Sequence, residues 1–496
     1  MYSGSMVKSL RPDKSCLIEE IDTGLSPLEA FECIKDGRFS FFLDSGMDSN
    51  KLGRYSFIGS DPFLVLSTRG SEGVLTRGKI KSRLTGNPFD MLQHLLEIYR
   101  LEPHPSPVPF VGGAVGYFSY DLCHFIERLP STATDDLNLP ECYFGFYDLV
   151  LAFDNLEGKT YLISSGFPEL RETERITRAT RRINELKNKL TGASVSDTET
   201  PVTPVSSPVK PLATLQGNFT HKEYIDTVEK ARQYIIAGDI FEVNLSQRFE
   251  TELSISPYKL YQRLRQINPA PFAGYLDFNG VKVVSASPER FLRLRGDWVE
   301  TRPIKGTRPR GKTKEEDEAL SSELLTSVKD RAENIMIVDL ERNDLGRVCR
   351  FGTVKVTQLA ILEMFPTVFH LTSTIVGRLR EDKNGIDLIK ATFPGGSVTG
   401  APKVRSMEII DELEPTKRSI YTGSIGYLSF NGDLDLSIAI RTFLVKEGRA
   451  YFQVGGAVVY DSDPETEYQE TMDKGKALVD ALNMATTLEV GHGSGH

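Results

Sequence analysis

Apolar and polar residues alternate in short runs along the first third of the chain. FSFFLDS (39–45), YSFIGS (55–60), FLVLST (63–68), YDLVLAF (147–153) and KTYLISS (159–165) are each a strand's length and rich in aromatic and branched residues. Two segments switch to the helical period: MLQHLLEIYR (91–100), and RETERITRATRRINELKNKL (171–190), whose Ile176, Ile183 and Leu186 fall on one predicted stripe. Further on, helices and strands alternate. YLDFNGVKVVSAS (275–287) and the long run from Gly426 to Val459 read as hairpins turning at Asn279-Gly280, Asn431-Gly432 and Glu447-Gly448. Strands joined by two-residue turns are antiparallel, which argues against a doubly wound parallel sheet. The expected class is α+β: large antiparallel sheets forming a β-sandwich core, with helices packed outside.

Residues 191–216 interrupt this pattern. They are Ser-, Thr- and Pro-rich with almost no large apolar groups, and are expected to form a linker. This divides the chain into an N-terminal α+β region (15–190), the linker, a catalytic region (217–485) and a disordered tail (486–496). GGAVGYFSY (112–120) echoes TGSIGYLSF (422–430); similar demands on two Gly-started strands are the expected cause, with duplication as the alternative.

Composition then narrows the function. The net charge of −9 over 496 residues argues against a nucleic-acid surface. No apolar run is long enough to span a membrane, and the first residues lack the core of a secretory signal. Five cysteines without CxxC spacing indicate neither a disulfide framework nor a zinc site, so a cytoplasmic location is expected.

Candidate chemistry is dispersed. FPGGSVTGAPKVRSMEIIDEL (393–413) is a Gly-rich loop entering a helix, but Ala401-Pro402-Lys403 rules out a Walker A loop; it reads either as a tight turn or as an anion cradle. Glu333, with Asp330 one turn before it, and the pair Glu467 and Glu470 place carboxylates on two helices. Such groups are either solvated or, without nearby His or Cys, suited to Mg²⁺. Lys305, in TRPIKGTRPRG (301–311), is either a solvated cation or, if enclosed, an amine whose pKa falls far enough to make it a nucleophile. His370 and Glu289 carry no distinctive signal of their own.

Taken together and in order, GDIFEVNLSQRF (238–249), SPERF (287–291), TRPIKGTRPRG, DRAENIMIVDLERNDLGRV (330–348), the 393–414 loop and helix, YTGSIGY (421–427), IRT (440–442) and EYQET (467–471) resemble the chorismate-utilising enzymes. GRYSFIGSDP (53–62) and FVGGAVGYFSYD (110–121) extend the resemblance into the N-terminal region. The resemblance implies a family fold, chorismate as substrate and Mg²⁺ held by Glu333 and Glu470. It further implies Glu289 as general acid, Lys305 as nucleophile, His370 beside the enolpyruvyl group, and substrate contacts from Gly306, Thr307, Tyr421, Arg441, Gly455, Gly456 and Ala457. At Ala457 the family usually has Gly. In the family, aminodeoxychorismate synthases carry PIKGT where anthranilate and isochorismate synthases carry Ala, so Lys305 resembles the former; Asn244 and the PAPF segment agree. The implied reaction yields 4-amino-4-deoxychorismate for 4-aminobenzoate and folate, with anthranilate formation as the alternative. FLDSG (42–46) instead resembles anthranilate synthases and implies an effector pocket of tryptophan size at Ser45, Pro271 and Phe272. No glutaminase nucleophile elbow is found, so ammonia is expected from a glutamine amidotransferase subunit.

Overall fold

The computed structural model describes residues 16–47, 52–102, 104–191 and 214–489. Most of the expected linker (192–213) and residues 490–496 of the expected tail lie outside these. The C-terminal helix runs on to Glu489, past the expected boundary at 485.

Every apolar run of the first third is a strand. The N-terminal half runs β1 (Leu17–Ile21), α1 (Pro27–Glu32), β2 (Phe41–Asp44), β3 (Tyr55–Gly59), β4 (Leu64–Arg69), β5 (Glu72–Arg77), β6 (Ile80–Thr85), α2 (Pro88–Ile98), β7 (Gly113–Phe118), β8 (Cys142–Tyr147), β9 (Leu149–Asp154), β10 (Lys159–Ser164) and α3 (Glu172–Thr191). The C-terminal half begins with β11 (Gln216–Gly217), α4 (His221–Ile236), β12 (Glu242–Glu252), α5 (Pro257–Ile267), β13 (Phe272–Phe278), β14 (Val281–Ser287), β15 (Arg290–Arg295), β16 (Trp298–Thr301) and β17 (Ile304–Pro309). It continues through α6 (Lys314–Thr326), α7 (Val328–Gly346), β18 (Lys355–Met364), β19 (Val368–Arg378), α8 (Gly385–Thr392), β20 (Gly400–Ala401) and α9 (Lys403–Leu413). It ends in β21 (Ser424–Ser429), β22 (Leu434–Ile438), β23 (Thr442–Lys446), β24 (Arg449–Val458) and α10 (Pro464–Glu489). The expected hairpins β13–β14, β21–β22 and β23–β24 all form.

These strands make two antiparallel sheets of twelve strands each. One is ordered β1-β10-β9-β3-β2-β13-β14-β23-β24-β12-β11, the other β17-β19-β16-β15-β22-β21-β7-β8-β4-β5-β6. The class expected from sequence is the class observed. Phe41, Phe57, Val150 and Val283 of the first sheet pack in one core with Leu66, Phe118, Phe144 and Leu436 of the second. Their neighbours Phe42, Ile58, Leu149 and Val284 point to the opposite face and are covered by Phe31, Leu186, Leu264 and Leu478 from helices. Buried on both faces, such strands read as near-continuous apolar runs. The stripe on α3 differs from expectation at one place: Ile176 is exposed, and Ala179 with Ile183, Leu186 and Leu190 faces the sheet.

Counted outward from the middle of each sheet, the halves match strand for strand. In the first sheet β2, β3, β9, β10 and β1 answer to β13, β14, β23, β24 and β12; in the second β7, β8, β4, β5 and β6 answer to β21, β22, β15, β16 and β19. Both sets run in the same chain order, and α1, α2 and α3 answer to α5, α8 and α10. The sequence echo therefore marks a structural duplication rather than a coincidence of local demands. Its two copies are β7 and β21, paired directly with Gly116 opposite Gly426. Among the described residues the N-terminal copy has no counterpart of β11 and α4, of the segment of β17, α6, α7 and β18, or of β20 and α9.

A Cβ at Gly116 would lie 1.9 Å from the Tyr143 carbonyl oxygen on β8. Gly116→Ala should therefore destabilise the protein by roughly 1–3 kcal/mol, lowering the urea midpoint of unfolding. An unchanged midpoint would show that this seam has room for a side chain.

Candidate active site

The candidate residues converge at one end of the C-terminal half. Lys305 lies on β17, a strand that pairs with β19 so that Thr307 sits opposite His370. Its side chain is buried, and Nζ donates a 2.5 Å hydrogen bond to Oε1 of Glu242, which begins β12 and is fully buried. Burial alone would lower the lysine's pKa, but the charges of Glu242 and Glu333 outweigh it and hold the ammonium above the usual lysine value. The expected lowering of Lys305 is thus reversed. Gly306 follows with φ +87°, where a Cβ would press on Asp330 and Leu324 at 3.1 Å.

Glu289 sits in the turn between β14 and β15. Its Oε1 accepts from Ser397 Oγ at 2.5 Å and from the Ile304 amide at 3.4 Å. Burial drives its pKa up to about 7 against these donors and Lys305. The Gly-rich loop is what delivers Ser397. Its Gly396 amide donates to Glu341 Oε1 at 2.8 Å, so that amide is already taken by a carboxylate of the chain itself.

Two helices bring the remaining carboxylates. On α7, Glu333 has its Oε1 buried without a hydrogen-bond partner, and burial raises its pKa to about 7 despite Lys305 and Lys329. On α10, Glu467 and Glu470 flank Gly456 of β24, where a Cβ would lie 3.2 Å from Glu467 Oε2 and 3.4 Å from Glu470 Oε1. Glu467 Oε2 is also buried and unpartnered, while its Oε1 accepts from Ser462 at 2.6 Å. Burial would raise Glu470, but Lys474, bonded to its Oε1 at 2.5 Å, more than offsets this and keeps it below the usual range. Among the described residues no three His, Cys, Asp or Glu side chains gather closely enough to hold a metal by themselves. Buried, unpartnered carboxylate oxygens on two helices that both reach Lys329 and Lys305 electrostatically fit a hard cation whose shell is completed by water or ligand oxygens.

The substrate-contact candidates surround this charge. Gly455, Gly456 and Ala457 on β24 pair with Ser246, Leu245 and Asn244 of β12. A Cβ at Gly455 would lie 2.9 Å from the Tyr421 hydroxyl, whose pKa burial raises to about 12. Arg441 is held with φ +53° and donates to the Lys474 carbonyl. Thr307 Oγ1 is bonded to His370 Nδ1 at 2.9 Å, and burial, then Arg441, lowers the histidine to about 3, so its imidazole is neutral. Glu242, Ser397, Glu467 and Lys474 complete the site. Of these, sequence reading singles out only Glu467, paired with Glu470 as a candidate cation ligand; it gives Glu242, Ser397 and Lys474 no role, though a glutamate at the start of β12 beside apolar Val243 signals a buried partner.

Ser45, Pro271 and Phe272 lie elsewhere. They line one cavity of about 290 Å³ together with Asp44, Arg54, Arg290 and Tyr427. The Ser45 hydroxyl is already bonded to the Tyr55 carbonyl at 2.7 Å.

Comparison with known proteins follows the same pattern. The family model described as chorismate binding enzyme matches residues 47–480. Anthranilate synthase component 1 of Acetivibrio thermocellus is 41% identical over 461 residues, covering 93% of each chain. Aminodeoxychorismate synthase component 1 of Bacillus subtilis is 39% identical, over 92% of this chain and 95% of its own. Among solved structures, anthranilate synthase component I of Streptococcus pneumoniae is 34% identical with a TM-score of 0.76, covering 87% of this chain and 93% of its own. An isochorismate synthase of Escherichia coli, at 18% identity and a TM-score of 0.68, covers 96% and 97% and shares the fold.

A carboxyl raised from 4.5 to about 7 binds its proton more tightly in the folded chain than in the unfolded one. The stability this confers is full below pH 4.5 and is lost as pH rises through 7. Glu289→Gln should therefore raise stability at pH 8 by roughly 1–3 kcal/mol and change it little near pH 4.5. Melting temperatures at both pH values test this; an equal gain at both would show that ionisation of Glu289 is not the cause.

Proposed function

This chain belongs to the chorismate binding enzyme family, and within it we propose that the chain is the chorismate-using component of aminodeoxychorismate synthase. Lys305 carries the proposal. It is a primary amine, buried against Glu242 and within electrostatic reach of Glu289, Glu333 and Glu470. It stands where anthranilate synthases are expected to have only alanine.

In this reading Arg441, Tyr421 and the Gly455-Gly456-Ala457 edge hold the substrate carboxylates. Glu333 and Glu470 would hold Mg²⁺, which supplies neutralisation of the ring carboxylate when bound. Glu289 gives its proton to the departing C4 hydroxyl. Lys305 attacks C2 as water leaves from C4; ammonia then forms the C4–N bond and the lysine departs from C2. Two displacements leave the amino group at C4 rather than C2. His370, neutral and tied to Thr307, faces Arg441 as an uncharged neighbour and adds no cation to the carboxylate site. A glutamine amidotransferase subunit supplies the ammonia, for which free ammonium substitutes.

The second reading is anthranilate synthase. It is favoured by the cavity at Ser45 and by the names of several relatives of about 40% identity.

Incubation with chorismate, Mg²⁺ and ammonium should give 4-amino-4-deoxychorismate and no fluorescent anthranilate; anthranilate as the main product overturns the proposal. Lys305→Ala should lower aminodeoxychorismate formation by at least about 10²-fold, and an unchanged rate would exclude the covalent route. Glu333→Gln should raise the Mg²⁺ concentration needed for half-maximal activity by about tenfold or more, read by titration with the metal.

A further inference from the structure

A lysine can attack carbon only as the free amine. The structure instead holds Lys305 as an ammonium whose proton is donated to Glu242 Oε1 at 2.5 Å. Three other carboxylates face Lys305: Glu289 from the β14–β15 turn, Glu333 from α7 and Glu470 from α10. Each is committed to something else. Glu289 is held by Ser397 Oγ and the Ile304 amide, and in the proposed reaction it must arrive protonated. Glu470 is tied to Lys474, and Glu333 makes no hydrogen bond to the lysine.

Glu242 differs from these. It is fully buried, and its Oε2 has no hydrogen-bond partner. Among the described residues, its side chain otherwise makes one hydrogen bond, from the Asn244 amide to Oε1 at 3.4 Å. A buried ion pair with an unsatisfied carboxylate oxygen is costly, whereas a neutral amine beside a carboxylic acid is not. Proton transfer inside the pair removes both charges without exchange with solvent, and closure of the site by substrate favours it further.

We infer that Glu242 is the general base that makes Lys305 a nucleophile, accepting its proton directly across their hydrogen bond. This rests on the proposed covalent route. The sequence of bonds balances as follows. A proton passes from Nζ to Glu242, and the neutral amine forms the Nζ–C2 bond. Both conjugated ring double bonds shift, from C1=C2 and C5=C6 to C1=C6 and C4=C5, the C4–O bond breaks, and Glu289 protonates the leaving hydroxide to water. Ammonia then bonds C4, both double bonds shift back, the Nζ–C2 pair returns to the lysine as a free amine, and the new C4 ammonium gives a proton back to Glu289. Glu242 restores its proton to Lys305 as product leaves.

The alternative is loss of the lysine's proton to bulk water. With its pKa held above the ordinary 10.5, that route leaves fewer than about one lysine in a thousand reactive near pH 7.5. Reactivity would then climb tenfold per pH unit.

The test is single-turnover formation of a Lys305 adduct, read as added mass equal to chorismate less one water, with chorismate and Mg²⁺ but no ammonia. Glu242→Gln keeps the side chain's size and its contact to Nζ but cannot accept a proton. Its adduct should form at least about 10²-fold more slowly, with chorismate and Mg²⁺ binding within a few-fold of wild type by calorimetry. A variant that forms the adduct within about threefold of the wild-type rate, or faster, overturns the role of Glu242. The wild-type profile gives an independent measure. If Glu242 takes the proton, adduct formation falls tenfold per unit above about pH 7, as Glu289 ionises, with no compensating rise. A rate flat to pH 9 or beyond means the lysine loses its proton to solvent, which also overturns the proposal. Wild-type protein that forms no adduct at any pH removes the covalent reading itself, an outcome distinct from an unaffected Glu242→Gln.

Discussion

A charged amine buried under two sheets must be matched by a charge of opposite sign within hydrogen-bond reach, and in this protein that requirement is met by the pair of Lys305 and Glu242. The rest of the site is arranged around it. Glu289 and Glu333 are pushed toward neutrality by the same dry surroundings, each to about 7, because a single lysine does not compensate three carboxylates. Glu289 can hold a proton near neutral pH, and among the described residues Glu333 keeps one carboxylate oxygen without a hydrogen-bond partner. Both properties come from burial and not from any unusual residue.

The fold explains why this chemistry is confined to one half. Ten strands and three helices are built twice, in the same order, and the copies share both sheets through the seams β2–β13 and β7–β21. The halves therefore cannot be separate domains in the sense of independent cores: Phe41 and Val283, one from each half, lie in the same cluster. Lys305, Gly306, Thr307 and Glu333 all come from the segment that only the second copy carries between β16 and β19. The first copy supplies the other flank of the sandwich. The cavity at Ser45 lies across the shared seam, lined by β2 and β3 on one side and by β13, β15, β21 and β22 on the other.

Much of the architecture was legible because strands covered on both faces write themselves as long apolar runs, and because Asn-Gly and Glu-Gly turns fix the antiparallel hairpins. The candidate site was legible as a set of motifs, and hydrogen bonds bring residues of several of them together, Lys305 with Glu242 and Glu289 with Ser397. What escaped were relations between distant residues. The duplication is faint in sequence: the echo of β7 and β21 is the one that stands out, and it falls where Gly116 and Gly426 oppose each other. Ile176 fits the helical period yet faces solvent, since the helix turns Ala179 to the sheet instead. Glu242 lies in the 238–249 motif, in which Asn244 is the residue that resembles the aminodeoxychorismate synthases. Residues 242, 244 and 246 share one face of β12, and only the fold reveals that this face looks onto Lys305. The direction of the lysine's pKa depended on the same contact, so enclosure alone gave the wrong sign.

Three buried carboxylate oxygens at the site, on Glu242, Glu333 and Glu467, have no hydrogen-bond partner. Leaving such an atom unsatisfied costs roughly 1–3 kcal/mol, and sequence could have avoided it with an apolar or amide side chain at each place. The protein carries this cost around a pocket where Gly455 and Gly456 leave no side chain between the carboxylates and the substrate edge. A fold optimised for stability alone would fill that space and neutralise those groups. Their persistence at one spot means that part of the folded state's free energy is held back until a cation, a proton or the substrate's own groups arrive. Binding and catalysis then draw on interactions that the resting protein leaves unmade.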